Sequence, residues 1–171
     1  MKTGLGRLVA GAGVAALVSG IAVYSQSNVE AAATATSSFT VSASVTANCT
    51  IAAGALAFGP YDPVVTNASA DLDVASTITV ACTKGSTGVV SLDNGLNFSG
   101  GARRMKTGAN FLAYEMYNDA GRTTVWNASN TVSYTAASKA STGLTLYGRV
   151  AAGQDVPVGS YSDTVVATIT F

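Results

Sequence analysis

Side chains that carry out chemistry are scarce in this sequence. None of its 171 residues is a histidine, which removes the usual general base, the usual zinc ligand and the proton acceptor of a Ser-His-Asp arrangement. The tightest pair of carboxylates, Asp71 and Asp73, has the spacing that puts both on one face of a strand. Paired carboxylates can share acid and base work across a glycosidic bond. These two, however, share their parity with Thr77, Thr79 and Thr83, and the plain reading is a solvated face. Arg103, Arg104 and Lys106 cluster beside Gly100-Gly101 and read as a solvated loop in preference to a phosphate cradle. Asn67-Ala68-Ser69, Asn97-Phe98-Ser99 and Asn127-Ala128-Ser129 match the glycan acceptor pattern, as chance allows in a chain rich in Asn, Ser and Thr. Nine basic residues balance nine acidic ones, so nothing steers the chain toward nucleic acid. No catalytic residue, metal or cofactor is expected, and the chain does not read as an enzyme.

The cysteines are the remaining reactive pair, and their meaning depends on the compartment. Lys2 and Arg7 precede an apolar run from Leu8 to Val23, and Ala31-Ala32-Ala33 supplies the small residues that a signal peptidase prefers. Residues 1–33 therefore read as a secretory signal; a retained membrane anchor is the alternative, since the run is nearly long enough to span. Removing Lys2, Arg7 and Glu30 leaves seven basic against eight acidic residues. In an exported chain Cys49 and Cys82 form one disulfide most simply, worth about 3 to 4 kcal/mol for a loop of this length. A metal or redox pair would need further ligands or a CxxC spacing, and has neither.

The elements that hold these residues have the composition of a β protein, rich in Ala, Val, Thr, Ser and Gly and only 11% charged. From Phe39 to Ile51 apolar and polar residues alternate without a break, too far for one ordinary strand of roughly five to six residues. Either an outer part before Ala47 and an inner part carrying Cys49 serve different purposes, or this is one long edge strand. Gly54 to Pro63 implies a short strand and a corner. Leu72, Val74, Ile78, Val80 and Cys82 share one parity, which marks an interior strand and aims Cys82 inward. Val89–Leu92 reads as a strand, Asp93-Asn94-Gly95 as a tight reversal, and Leu96–Phe98 as its return. Phe111–Tyr117, Thr123–Trp126, Thr131–Tyr134 and Leu144–Val150 follow. In the last stretch Tyr161, Val165, Ala167, Ile169 and Phe171 alternate with Ser162, Thr164, Thr168 and Thr170, while Asp163 and Val166 break the pattern. The given sequence ends there without a further strand to cover that edge, and an uncovered apolar edge invites another chain. One domain of roughly seven short strands, an all-β sandwich, is expected.

Several motifs resemble one family: Asn48-Cys49-Thr50-Ile51, Ile78-Thr79-Val80-Ala81-Cys82, Tyr114-Glu115-Met116-Tyr117-Asn118-Asp119 and Leu146-Tyr147-Gly148-Arg149-Val150. The most specific is the ending, Gly159-Ser160-Tyr161-Ser162-Asp163-Thr164-Val165 followed by Thr168-Ile169-Thr170-Phe171. The sequence is similar to spore coat protein U domains, a family that also supplies subunits of archaic chaperone-usher pili. The resemblance implies an immunoglobulin-like sandwich lacking its last strand, met by a periplasmic chaperone, exported through an outer-membrane usher, and completed by the N-terminal segment of a neighbouring copy. It implies a donor segment in residues 34–46, with Phe39, Val41, Ala43 and Val45 as donor side chains, ahead of an incomplete domain in residues 47–171. Val165, Ala167, Ile169 and Phe171 would belong to the acceptor groove.

The leading reading is thus a structural subunit of a pilus or surface fibre, serving adhesion or biofilm formation, and located at the cell surface. A spore coat or surface-layer protein is the alternative. A carbohydrate-binding or adhesin module would use Tyr117, Trp126 and Tyr134 as exposed aromatics. A tip adhesin would be expected to carry a second, receptor domain and could dispense with the donor segment, which favours a stalk subunit.

Overall fold

The computed structural model describes residues 32–171, so the secretory-signal reading falls outside it except for Ala32 and Ala33. The described residues fall into two units, residues 32–42 belonging to the first and Ala43–Phe171 forming the second. In the described part of the first unit the backbone forms no strand. The second unit holds eight strands: β1 (Cys49–Ala53), β2 (Leu72–Cys82), β3 (Thr87–Leu92), β4 (Arg103–Thr107), β5 (Asn110–Tyr117), β6 (Val132–Thr135), β7 (Thr142–Val150) and β8 (Ala167–Thr170). One sheet has the order β1-β2-β7-β5-β4 and the other β6-β3-β8. All pairings are antiparallel.

The strict alternation of β2 explains the core. Ile78, Val80 and Cys82 are buried on one face, while Thr77 and Thr79 point the other way. Val90 and Leu92 of β3, Leu112, Tyr114 and Met116 of β5, and Leu146 and Val150 of β7 meet them between the sheets. Cys49 stands directly opposite Cys82, with Cα atoms 4.1 Å apart, and the two sulfurs are bonded. Trp126 is fully enclosed, and its indole Nε1 donates to the Val90 carbonyl at 2.9 Å.

Five stretches differ from the pattern reading, and the first is Thr123–Trp126, which forms no strand and makes only an isolated bridge from Val125 to Tyr117. The alternating run from Phe39 yields a strand only from Cys49 onward. Gly54–Pro63 forms no strand; Gly59 takes a φ of 75° and two prolines follow it, and proline cannot donate to a ladder. Leu96–Phe98 does not return along β3, because Leu96 N donates instead to the Thr164 carbonyl at 3.2 Å. The ending is not one strand: Ser162 bridges to Lys106 of β4, and only Ala167–Thr170 pairs with β3.

The basic cluster is corrected more sharply. Arg103, Arg104 and Lys106 lie on β4, not in a loop, and Arg103 is 1% exposed. Its guanidinium donates to the carbonyls of Asp93 and Trp126 and to the Glu115 carboxylate. A buried cation is tolerable when its donors are satisfied in this way. Arg104 stacks over the Phe111 ring, 4.1 Å from its centroid, and donates to the Asn97 carbonyl.

Candidate functional site

A cleft of about 1210 Å³ opens in the second unit. Its floor is core: Leu72, Ile78, Leu112, Met116, Leu146 and Val150. One wall is the irregular segment from Ala53 to Pro63, the other the segment from Val156 to Val165 with Ala167 beyond it. Along the first wall Leu56 and Phe58 lie directly on β7, where Gly148 leaves them room. A Cβ at that position would come within 2.7 Å of Leu56 Cδ2 and 2.9 Å of Phe58 Cζ. Phe58 also meets Tyr114 edge to face, with ring centroids 6.0 Å apart. Tyr61 anchors the far end, its hydroxyl donating to the Ala151 carbonyl and accepting from Gln154 N, each at 2.9 Å. The Gln154 side chain in turn bonds both backbone groups of Ala113 on β5.

The second wall is an extended run whose backbone is satisfied on one side. Ser162 exchanges bonds with Lys106, and the carbonyls of Thr164 and Val166 accept from Leu96 N and Asp93 N. Even-numbered residues thus turn their backbone groups toward the folded interior of the sheet. By the alternation of an extended chain, the odd-numbered residues from Tyr161 to Ile169 turn theirs the other way. On that side β8 is the edge of its sheet. The cleft therefore combines apolar core surface with a row of edge backbone groups, the two features an added β-strand satisfies together.

Of the expected acceptor residues, Val165 and Ala167 line the cleft. Ile169 is half-buried against the core, and Phe171 is 54% exposed; neither is among the lining residues. Of the expected donor residues, Phe39, Val41 and Val45 are more than 80% exposed, and Ala43 is exposed as well. The opposite wall of Leu56, Phe58 and Tyr61 was missed as a site. Its only sequence signal is a short apolar alternation ending in Gly59-Pro60.

The remaining candidates dissolve. Asp73 receives a two-point ion pair from Arg149, both contacts at 2.8 Å, with Arg122 at 3.3 Å, and Asp71 lies 3.2 Å from Arg149. The hydrogen bonds from Arg149 hold the Asp73 carboxyl below the usual carboxylate range. These carboxylates are counter-ions, not an acid-base couple. The aromatic platform is likewise overturned: Trp126 is 0% and Tyr134 6% exposed, and Tyr117 is half-buried. Asn67 is 3% exposed, with its amide bonded to Asp62 N and the Ala70 carbonyl, so it is closed to glycan attachment. Among the described residues no group of three or more acidic, cysteine or histidine side chains could hold a metal ion.

The Spore Coat Protein U domain model matches residues 35–168. The chain belongs to that family. It is 40% identical to Protein U of Myxococcus xanthus over 173 residues, covering 92% of this chain and 96% of that protein. Two solved structures share the fold. One is the CsuC–CsuE complex of a chaperone and a tip adhesion subunit from the archaic chaperone-usher Csu pili of Acinetobacter baumannii, with a TM-score of 0.57 and 23% identity. That match covers 74% of this chain and 40% of the matched chain. The other is the P pilus rod subunit PapA, with a TM-score of 0.54, 19% identity, and coverage of 71% of this chain and 97% of PapA. The fold of this family member is thus the immunoglobulin-like sandwich of pilus subunits.

Proposed function

We propose that this protein is an exported structural subunit that polymerises by donor-strand complementation, its cleft accepting the segment around Phe39–Val45 of a neighbouring copy. The carrying observation is the coincidence of an apolar floor with the extended run from Tyr161 to Ala167, whose backbone is hydrogen-bonded on one side only, along one cleft. The exposed alternating side chains Phe39, Val41 and Val45 have the period of two that such a site requires. Burying the three favours complementation by roughly 5 to 8 kcal/mol before ordering costs. On this reading a periplasmic chaperone covers the cleft before assembly, an outer-membrane usher exports the subunit, and the product is a pilus or fibre at the cell surface. The residues that carry it are structural, and no enzymatic step is assigned.

A surface or spore coat built by the same strand exchange is the second reading, favoured by the 40% identity to Protein U and by the family to which the chain belongs. It differs in what is assembled, not in the cleft. One experiment tests the shared mechanism. Express the chain without residues 37–45, mix it with the intact chain, and follow laddering on unheated gels. The shortened chain should be added once and end the polymer. Polymerisation equal to that of the intact chain alone would remove this segment as the donor.

A further inference from the structure

The wall that faces the incoming strand carries an acid where the side-chain parity calls for an apolar residue. Asp163 shares inward parity with Tyr161 and Val165 and lines the cleft with them. Its Oδ2 accepts from the Tyr114 hydroxyl at 2.7 Å, and its Oδ1 accepts from Leu96 N at 3.1 Å and from Asn97 Nδ2 at 2.9 Å. Gly95 is shaped around this carboxylate: at a φ of 76° it passes so close that a Cβ there would overlap Oδ2. Asp93 makes the reverse stitch. Its N donates to the Val166 carbonyl, and its carboxylate accepts from Val166 N, both at 3.0 Å.

We infer that Asp163 is a positioning residue for strand capture, clamping the wall from Tyr161 to Val166 onto Tyr114 and the 93–97 turn so that the cleft edge is set before a donor arrives. This rests on the proposed donor-strand reading. The need for a clamp is plain from the pairing. Between the bridge at Ser162 and the start of β8 at Ala167, the wall has no strand partner, and its side-chain anchors are Asp163 and Asp93. A docking edge that is already ordered spares the complex part of its ordering cost. Tyr114 is held in the neutral, donating form, raised first by burial and then by its bond to Asp163.

The test uses the full exported chain and a fluorescent peptide of its own residues 37–47, and it reads the second-order capture rate together with the thermal midpoint of the peptide-loaded form. Asp163→Ala should slow capture by about tenfold or more, the equivalent of one lost hydrogen bond to a charged group. Asp163→Asn should recover most of the rate. Its Oδ1 can still accept from Leu96 and Asn97, while its amide donates to the Tyr114 oxygen. Should Asp163→Ala fail to fold, Tyr114→Phe removes one of the three donors with the ring kept, and should slow capture by about tenfold, the equivalent of that one bond to a charged group. Capture by Asp163→Ala or Tyr114→Phe at the intact rate, with only the midpoint lowered, would leave Asp163 a structural residue and overturn the inference alone. No capture by the unaltered chain would overturn the donor-strand reading and this inference with it.

Discussion

Arg103 and Arg149 carry the same charge in opposite surroundings, and the difference predicts opposite costs. Arg103 is 1% exposed and satisfies two carbonyls and the Glu115 carboxylate. Replacing it with leucine leaves the Asp93 and Trp126 carbonyls without their donor and the Glu115 carboxylate without its cation, and should cost about 3 kcal/mol in urea unfolding, a large share of a typical domain stability of about 5 to 15. Arg149 and Asp73 are each 32% exposed, so Arg149→Ala should change stability by about 1 kcal/mol or less. Its effect should also depend on pH. Asp73 is held below its ordinary value by Arg149, so the pair's contribution is present above the unfolded carboxylate range, about 4, and is lost as pH falls through the lower folded value. The gap between Arg149→Ala and the intact chain should therefore close in acid. Unfolding both variants at pH 7 and pH 3 checks this.

At the level of elements, periodicity reported which way side chains face but not which strand they pair with. β2 was legible in full because its inward parity is filled by Ile78, Val80 and Cys82 and its outward one by threonines. The run from Tyr161 to Phe171 keeps its parity while its neighbour changes from β4 to the 93–97 turn and then to β3. A period of two is blind to such changes of partner, and so the run looked like one strand. Arg103 was misplaced because its partners Glu115 and Trp126 lie 12 and 23 residues away, beyond anything the local Gly-Gly neighbourhood could show. Half of the cleft was missed for a related reason. Leu56 and Phe58 rest on Gly148, some 90 residues on, and a glycine in a strand does not announce what lies over it. The tie between β1 and β2 yields a prediction at this scale. Cys49 and Cys82 are 33 residues apart, and Cys49→Ser should lower stability by about 3 to 4 kcal/mol in the chain-entropy model. Non-reducing peptide mapping should show the pair linked in exported protein, and the variant's urea midpoint should fall to that of the reduced chain.

For the molecule as a whole, the exposed alternating segment before β1 and the cleft bounded by β8 are two halves of one interaction if each completes a different copy. A strand can seat in such a cleft with only one of its two faces inward, so the parity of the segment is the sharpest prediction the assembly model makes. Val41 shares its parity with Phe39 and Val45, whereas Ser42 has the opposite one, and the two residues are neighbours that are both exposed in the free chain. Val41→Asp would carry an unpaired carboxylate into the apolar floor of Ile78, Leu112 and Leu146, a change that costs several kcal/mol, or about a thousandfold in assembly. Ser42→Asp leaves its charge in water and should assemble at nearly the rate of the intact chain. Neither change alters the residues of the β1–β8 sandwich, so both variants should keep an intact acceptor cleft; mixed with the intact chain, Val41→Asp should be added once and end the polymer, whereas Ser42→Asp should co-polymerise. Laddering on unheated gels, read for each variant alone and then mixed with intact chain, separates the outcomes. Equal damage from the two substitutions would mean that the segment acts through its charge or length and not as a strand with one buried face.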